Sequence, residues 1–185
     1  NGKGPLLVVM GGSQGAKSIN EIFYKSLDCL LKNNFRIVHI IGECNNPVNF
    51  NFMNNQNYVQ KRFSKQIAAI MQNCDLLISR SGSGTINELI QTGIPSILIP
   101  YPNSKNNHQE KNAIVLSSIG GAILIEQNKI SKEFLLKTLG RIFKFDKQKQ
   151  KYKLLDSMKE NMKSYSSIKP EIEIKNLINY FLKEF

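Results

Sequence analysis

The chain contains few of the residues that hold metal ions in proteins. Its 185 residues include two histidines and three cysteines, and no sequence of the form D-x-D occurs. Cys29, Cys44 and Cys74 have no C-x-x-C spacing and lie in or beside apolar segments, which is typical of free thiols in a reducing compartment. The sequence therefore predicts no metal site and gives no support to a diphosphate bound through a chelated metal ion.

Long apolar runs and acidic residues are also scarce. The longest apolar runs are much too short to cross a bilayer. Lys and Arg outnumber Asp and Glu by 25 to 14, which gives a net charge of +11. No nucleic-acid-binding motif accompanies this charge, so we interpret it as solvated lysines and expect no nucleic-acid partner. A hydrophobic fraction of 41% is enough for a folded core. Because the first residue is Asn1 rather than Met, we expect a piece of a longer protein.

Apolar runs alternate along the chain with segments of helical periodicity. The runs predict strands at residues 6–10, 36–42, 58–63, 76–79, 96–100 and 122–125. The periodic segments between them predict helices at residues 18–32, 64–73, 85–92 and 108–118. Since the strands are continuously apolar rather than alternating, they fit a parallel sheet covered on both faces. The expected fold is a doubly wound, Rossmann-like α/β sheet with ligand loops at the carboxyl ends of its strands.

The last third of the chain has a different pattern. Residues 131–185 contain three helical segments and no predicted strand, and Pro170 opens the last helix. No internal repeat or linker interrupts the sequence. We therefore predict a single domain over residues 1–185, with a strand–helix core at 5–126 and a helical tail at 131–185.

Two glycine-rich segments each join a predicted strand to a predicted helix. They read GGSQGA at residues 11–16 and RSGSGT at residues 80–85. Because glycine has no Cβ atom, the backbone N–H groups of such a loop can approach an oxygen-rich ligand closely. The start of the following helix adds a partial positive charge of about half a unit. Two such loops in one sheet, with Arg80 at the mouth of the second, favour a nucleotide diphosphate or a nucleotide sugar. The alternative is that both loops are only tight strand-to-helix turns.

Neither loop completes a known nucleotide motif. The Walker pattern needs a glycine where this chain has Ala16, and Asp75 opens its predicted strand instead of ending it as a Walker B aspartate does. The G-x-G-x-x-G pattern lacks its first glycine, because Met10 occupies that position. An NAD-type dinucleotide site remains an alternative, since Glu43 follows the second predicted strand, where a ribose-binding acid is expected.

Two further features each have a structural and a functional interpretation. Glu88 follows Thr85 by three positions, which fits a capping box at the start of a helix. The Glu88 carboxylate is equally suited to accept hydrogen bonds from a ribose diol. The segment NSKNNHQEKNA at residues 103–113 is either a solvated turn or a loop whose His108 and Gln109 bind sugar hydroxyls.

Three segments in this order, GGSQGAKSIN, RSGSGTINELIQTGIPSILIPYP and NHQEKNA, resemble the MurG family of bacterial glycosyltransferases over about residues 5–126. That family transfers N-acetylglucosamine from UDP-N-acetylglucosamine to undecaprenyl-pyrophosphoryl-muramyl pentapeptide, which converts lipid I to lipid II in peptidoglycan synthesis. The resemblance is to the C-terminal, donor-binding half of the GT-B architecture. It implies an inverting transfer that uses no metal ion and no other cofactor.

The resemblance also implies what the other half of the enzyme contributes. In the family, the N-terminal half holds the acceptor, the membrane-facing patch and the catalytic base, so this chain alone is expected to transfer no sugar. The full-length protein would act at the cytoplasmic face of the bacterial inner membrane. Two alternatives stay open: a donor-binding subunit of a dolichol-linked chitobiose-forming transferase, and a UDP-sugar sensor without enzymatic activity.

The resemblance assigns roles to single positions near the base and the ribose. Ser13 and Gln14 would lie near the donor or near the pyrophosphate of the acceptor. Ser64, which follows Phe63, would present backbone groups to uracil. Glu88 would accept hydrogen bonds from the ribose hydroxyls.

Further positions would bind the diphosphate and the sugar. The diphosphate would lie beside Arg80, at the helix start formed by Ser81, Gly82, Ser83, Gly84 and Thr85. His108 and Gln109 would bind the hydroxyls of N-acetylglucosamine. The family commonly has glutamine at both of these positions, and His108 departs from that pattern.

Overall fold

The computed structural model describes residues 4–12, 15–45, 52 and 55–167. Six parallel strands form one sheet in the order β3-β2-β1-β4-β5-β6, and two more strands form a small antiparallel pair. The elements in chain order are β1 Leu6–Met10, α1 Lys17–Lys32, β2 Arg36–Ile40, β3 Tyr58–Lys61, α2 Ile67–Gln72, β4 Leu76–Ser79, α3 Ser83–Thr92, β5 Ser96–Leu98, α4 His108–Ser118, β6 Ala122–Leu124, α5 Lys132–Ile142, β7 Phe145–Asp146, β8 Lys151–Tyr152 and α6 Lys153–Ser166. The predicted doubly wound parallel sheet is confirmed.

The strand register brings the loops of interest to one edge of the sheet. Met10, at the end of β1, lies opposite Ile40 of β2 and Ser79 of β4. Ser79 in turn lies opposite Leu98 at the end of β5. The strand order reverses between β1 and β4, so the loops after these two strands diverge and leave a crevice, which is where ligands bind in open α/β sheets.

Both faces of the sheet are buried, which explains why its strands are continuously apolar. Leu7 and Val9 of β1 belong to the same cluster as Phe23 and Leu27 of α1. Val8 and Met10 point to the other face, whose cluster includes Leu89 of α3 and Leu116 of α4. Each fully buried side chain of this size contributes about 1.5–3 kcal/mol to the free energy of folding.

The prediction that residues 131–185 contain no strand is wrong. β7 and β8 pair antiparallel, with Phe145 opposite Tyr152 and Asp146 opposite Lys151. The aromatic rings of Phe145 and Tyr152 meet edge to face, with their centroids 5.3 Å apart. This cross-strand pair stabilises a hairpin that is too short to show a periodic pattern in the sequence. The predicted helix that begins at Pro170 lies outside the described residues.

Two helix starts differ from the prediction by two residues or more. α2 begins at Ile67, and the Ser64 hydroxyl accepts a hydrogen bond from the Gln66 N–H over 3.2 Å, so Ser64 stabilises the turn before the helix instead of capping it. α3 begins at Ser83, two residues earlier than predicted, because Gly82 and not Thr85 is its N-cap. Of the helices that the structure describes, none combines the length and the apolar character needed to cross a membrane.

Candidate functional site

The glycine loop after β1 has a backbone that requires glycine. Gly12 and Gly15 have φ angles of +85° and +80°, a region that side chains disfavour. The Gly15 N–H donates to the Gly12 carbonyl over 3.0 Å, which closes the turn. Ser13 and Gln14, two of the predicted site residues, lie outside the described residues, and their predicted contacts stay predictions.

The first turn of α3 presents an uncapped helix start. The N-cap, Gly82, has extended backbone angles of −63° and 153°, and no side chain of the described residues caps this turn. A Cβ atom added to Gly82 or Gly84 would meet no atom of the described residues within 4 Å, so these residues leave the space in front of the turn open. The first backbone N–H groups of a helix have no intrahelical partner, and they carry the positive end of its dipole.

A cavity of about 280 Å³ lies against this turn. Three segments meet there: the end of β1 with Gly12, the β3–α2 loop, and the first turns of α3. Five of the predicted site residues line it, namely Phe63, Ser64, Gly84, Thr85 and Glu88. The structure thus brings together residues that are 25 positions apart between Phe63 and Glu88. We call this space the switch-point cavity.

Glu88 lines the switch-point cavity and is not part of a capping box. With Gly82 as N-cap, the capping-box glutamate would have to be at position 85, and that residue is Thr85. The capping-box interpretation is therefore wrong. The Glu88 side chain makes no ion pair within the part of the chain that the structure describes, so its carboxylate can accept hydrogen bonds from a ligand.

Arg62 is a cavity residue that the sequence analysis did not identify. It is exposed and lines the switch-point cavity beside Phe63, whose side chain is 52% exposed. In the sequence, only its position directly before Phe63 and Ser64 indicated that Arg62 could belong to the site. Arg62 adds a positive charge to a cavity whose carboxylate is supplied by Glu88.

Arg80, the first residue of the loop after β4, is buried and its side chain is held by protein atoms. Its guanidinium donates to the carbonyl oxygens of Ile99 and Pro100, each over 3.0 Å. It also donates to the hydroxyl of Ser18 at the start of α1 and to the side-chain oxygen of Gln127. These bonds join four segments at the carboxyl edge of the sheet.

The charge of Arg80 is only partly offset. Burial lowers its pKa, and the ring of Tyr101 lies 5.5 Å from the guanidinium carbon. No carboxylate among the described residues forms an ion pair with it. Arg80, two positions before the N-cap of α3, therefore keeps a positive charge in the interior at the carboxyl edge of the sheet, while its own donors are used by the fold.

Ser81 and Gln109 contact each other instead of projecting into the switch-point cavity. The Ser81 hydroxyl donates to the backbone carbonyl of Gln109 over 2.7 Å, and Asn112 donates to the Ser81 carbonyl over 3.0 Å. The side-chain oxygen of Gln109 accepts from the Tyr101 N–H over 3.0 Å. Both predicted residues thus fix α4 against the loop after β4. Ser83, the first residue of α3, is exposed next to the cavity.

His108 is exposed at the start of α4, where its Nδ1 lies 2.7 Å from the carbonyl oxygen of Lys105. Asn106 and Asn107 precede it, both with a φ of +53°, a conformation that asparagine tolerates better than most residues. Next to this turn lies a second cavity of about 310 Å³ lined by Tyr101, Glu110 and others, but not by His108 or Gln109. The predicted sugar contacts of these two residues stay predictions.

A buried polar network surrounds His39, between α1 and the end of β2. His39 is fully buried, with one ring nitrogen 3.0 Å from the side-chain oxygen of Asn20 and the other 3.2 Å from the Tyr58 hydroxyl. Burial lowers the pKa of His39 to about 3. The Asn20 amide donates to the Ile41 carbonyl over 3.0 Å, so the network ties α1 to the end of β2.

Comparison with known proteins gives a consistent family. Residues 6–169 match the model of the glycosyltransferase family 28 C-terminal domain. A relative from Prochlorococcus marinus (strain MIT 9515) is 72% identical over 186 residues, which cover 100% of this chain and 51% of the relative. A relative from strain NATL2A is 40% identical and covers 96% and 49% respectively. Both are named UDP-N-acetylglucosamine--N-acetylmuramyl-(pentapeptide) pyrophosphoryl-undecaprenol N-acetylglucosamine transferase. The chain spans about half the length of these relatives.

Solved structures share the fold. MurG from Acinetobacter baumannii superposes with a TM-score of 0.69 at 24% identity, covering 88% of this chain and 46% of that protein. The glycosyltransferase VinC, solved in complex with dTDP, superposes with a TM-score of 0.62 at 14% identity, covering 89% and 37%. At these identities the likeness supports the fold, and it confirms the GT-B half that the sequence resemblance implied.

Proposed function

Because the chain belongs to glycosyltransferase family 28 through its C-terminal domain, we propose that it is the donor-binding part of an N-acetylglucosamine transferase. The donor is UDP-N-acetylglucosamine, and the acceptor is the lipid-linked muramyl pentapeptide that the relatives' names contain. The observation that carries this proposal is the switch-point cavity, where the glycine loop, the β3–α2 loop and the uncapped start of α3 meet.

The proposed donor position follows from the chemistry of the cavity wall. Uracil lies at the β3–α2 loop, where Phe63 offers an apolar face and Ser64 offers backbone groups. The ribose hydroxyls donate to the Glu88 carboxylate. The diphosphate lies at the first turn of α3, whose free N–H groups at Ser83, Gly84 and Thr85 bind anionic oxygens.

The proposed reaction is a single inverting displacement. An acceptor hydroxyl attacks the anomeric carbon from the face opposite UDP, the bond to the diphosphate oxygen breaks, and its electron pair leaves with UDP. The N–H groups of the α3 start and its dipole stabilise the negative charge that develops there, and the buried charge of Arg80 adds to the local positive potential. The proton of the acceptor hydroxyl goes to a base supplied by another part of the full-length enzyme. No metal ion or other cofactor takes part.

The remaining features of the proposal concern the whole enzyme. We propose that residues 1–185 form one UDP-sugar-binding domain and that the full-length protein acts at the cytoplasmic face of the inner membrane, where its lipid-linked acceptor lies. The named relatives act on a muramyl-linked acceptor, which favours this role over a dolichol-linked one. An NAD site is less well supported, because Glu43 does not line the switch-point cavity whereas Glu88 does.

Calorimetry with the chain tests the proposal. We expect binding of UDP and UDP-N-acetylglucosamine in preference to ATP and NAD, with no change when a metal chelator is added. We also expect no sugar transfer to a lipid-linked acceptor by residues 1–185 alone. Binding of NAD without binding of UDP would overturn the proposal. Sugar transfer by this chain alone would contradict the proposal that the base lies in another part of the full-length enzyme.

A matched pair of variants tests the location of the site. Gly84→Asp places a carboxylate in the open space at the α3 start, where an acidic residue favours the helix but repels a diphosphate. Gly140→Asp places the same group on α5, where no other residue that the structure describes would contact its Cβ within 4 Å. We expect UDP affinity to fall at least about tenfold in the first variant and to stay within about twofold in the second. Equal affinities in both would place the diphosphate elsewhere.

A further inference from the structure

A second feature of the molecule is a groove of about 620 Å³ between the end of α5, the β7–β8 hairpin and the start of α6. Four of its lining residues are cations, Arg141, Lys144, Lys147 and Lys153. Phe145 and Leu154 supply its apolar lining. We call this space the basic groove.

The positive charges of the basic groove are not used by the fold. None of the four cations forms an ion pair within the described part of the chain. Asp146 also lines the groove, but its Oδ1 accepts from the N–H groups of Gln148 and Lys149 over 3.0 and 3.1 Å. That carboxylate therefore closes the hairpin turn, and the groove keeps an excess of positive charge.

The position of Lys153 supports a use outside the fold. It is the first residue of α6, and a cation at a helix N-terminus opposes the helix dipole. The sequence from 144 to 153, KFDKQKQKYK, has five lysines and one aspartate. Lys151 lies opposite Asp146 across the hairpin, but the other lysines of this segment add only like charge, and neighbouring lysines repel each other.

The groove is built on a fixed platform at the edge of the sheet opposite the switch-point cavity. The Phe143 ring meets that of Phe35, which directly precedes β2, with centroids 5.0 Å apart. Tyr152 meets Phe143 at 5.7 Å and Phe145 at 5.3 Å. This chain of edge-to-face contacts holds the hairpin against the amino end of the sheet, and it leaves Phe145 45% exposed.

We propose that the basic groove is a docking site for an acidic segment of a partner protein. Carboxylates of the segment pair with the four cations, and one of its apolar side chains packs on Phe145. The concave shape favours a peptide over a membrane, because a flat lipid surface does not reach the floor of a groove. A peptide held there leaves the switch-point cavity open, so this proposal is independent of the proposed function.

The direct test uses fluorescence anisotropy with a labelled synthetic peptide of repeated Glu-Glu-Phe and a control peptide of repeated Glu-Glu-Ser. The test variant combines Lys144→Glu with Lys147→Glu, and the matched control combines Lys25→Glu with Lys137→Glu, two exposed lysines that form no ion pair within 4 Å among the described residues. Both change the net charge by the same amount. We expect affinity for the first peptide to fall at least about tenfold in the test variant and to change less than about twofold in the control.

A second pair of variants tests the apolar contact. Phe145→Ser and Phe134→Ser remove phenylalanines of similar exposure, 45% and 43%. We expect only Phe145→Ser to abolish the preference for the Glu-Glu-Phe peptide over the Glu-Glu-Ser peptide. Because Phe145 also stabilises the hairpin through Tyr152, the variant's affinity for the Glu-Glu-Ser peptide, which depends on the cations alone, should stay within about twofold of the parent's and so show that the groove is intact. Equal losses in both charge variants, or tighter and equally variant-sensitive binding of phosphatidylglycerol vesicles or duplex DNA, would overturn the proposal.

Discussion

A Cβ atom on Gly15 would lie 2.1 Å from the carbonyl oxygen of Ile41. Gly15 ends the glycine loop after β1, and Ile41 follows β2, so the loop packs directly on the backbone of the neighbouring strand. The φ of Gly15 is +80°, so a side chain would meet both a steric clash and an unfavourable backbone conformation. The loop and the end of β2 therefore form one unit.

Gly15→Ala is expected to destabilise the chain strongly. The left-handed backbone costs about 1–2 kcal/mol and the clash with a backbone atom about 1–3 kcal/mol more. Gly12→Ala is the matched control, because Gly12 has a φ of +85° but a Cβ there would meet no atom of the described part of the chain within 4 Å. Urea unfolding of both variants measures the difference. Similar losses of unfolding free energy would contradict the role of the Ile41 contact.

Arg80→Met is expected to lower both stability and UDP affinity. The substitution leaves the carbonyl oxygens of Ile99 and Pro100 without their donor, which costs about 2–4 kcal/mol and about 4–15 °C in melting temperature for a chain of this size. It also removes the buried charge that we propose adds to the positive potential at the diphosphate. Thermal melts and calorimetry with UDP report the two effects separately.

Two further arginine variants separate the charge from the fold. Arg80→Lys keeps the positive charge with fewer donors, so it should bind UDP more tightly than Arg80→Met does. Arg36→Met removes an arginine whose Nε donates to the Gly4 carbonyl over 2.7 Å at the opposite edge of the sheet, and it should leave UDP affinity unchanged. If Arg80→Met binds UDP as tightly as the parent does, Arg80 has a structural role and no role in UDP binding.

The buried His39 predicts a pH dependence of stability. Its pKa is about 3 in the folded chain and about 6.5 when unfolded, so the unfolded state binds the extra proton between these values. The stability that His39 contributes is therefore complete above pH 6.5 and is lost as the pH falls from 6.5 toward 3. Between pH 6.5 and 5.5, where few carboxylates titrate, the loss is about 1 kcal/mol.

Urea unfolding at several pH values measures this loss. His39→Gln should flatten the dependence between pH 6.5 and 5.5, because the variant has no imidazole to titrate at this position. In the parent, the proton resonances of the His39 ring should not shift over the same range. A ring that titrates near pH 6 in the folded chain would contradict the prediction.

The sequence predicted the sheet well because its signal is strong and local. Residues such as Val8 and Leu77 lie in short runs that are buried on both faces, and such runs identify parallel strands without further information. The β7–β8 hairpin was missed because its two-residue strands depend on the ring contact between Phe145 and Tyr152. A side-chain contact across a turn is a tertiary feature, and it produces no periodic pattern in the sequence.

The candidate site could be predicted where glycine loops form it. It was less predictable where its side chains make hydrogen bonds within the fold. The loops with Gly12 and Gly84 border one cavity, as two anion-receptive loops at one sheet edge predict. The uses of Ser81 and Gln109 depend on how α4 packs against the loop after β4. Arg62 was not identified, because a single exposed arginine has no distinguishing pattern in a chain with 25 basic residues.

Glu88→Gln tests the ribose contact directly. The structure removes the capping-box explanation, since α3 begins at Ser83, so the substitution should change the melting temperature little. If the carboxylate accepts from the ribose diol, it forms charge-assisted hydrogen bonds worth about 1.5–3 kcal/mol, or roughly ten- to a hundredfold in dissociation constant. Calorimetry with UDP and 2′-deoxy-UDP measures this as a difference between two ligands in one protein.

The expected result is that the parent discriminates between UDP and 2′-deoxy-UDP and that Glu88→Gln loses most of this discrimination. Glu160→Gln, an exposed change of the same chemistry on α6, is the matched control and should keep the parent's ratio. The ratio is insensitive to general loss of folded protein, because both ligands bind the same folded state. An unchanged ratio in Glu88→Gln would exclude the ribose contact, whereas loss of the ratio in both variants would assign it to net charge and not to the position of Glu88 in the cavity.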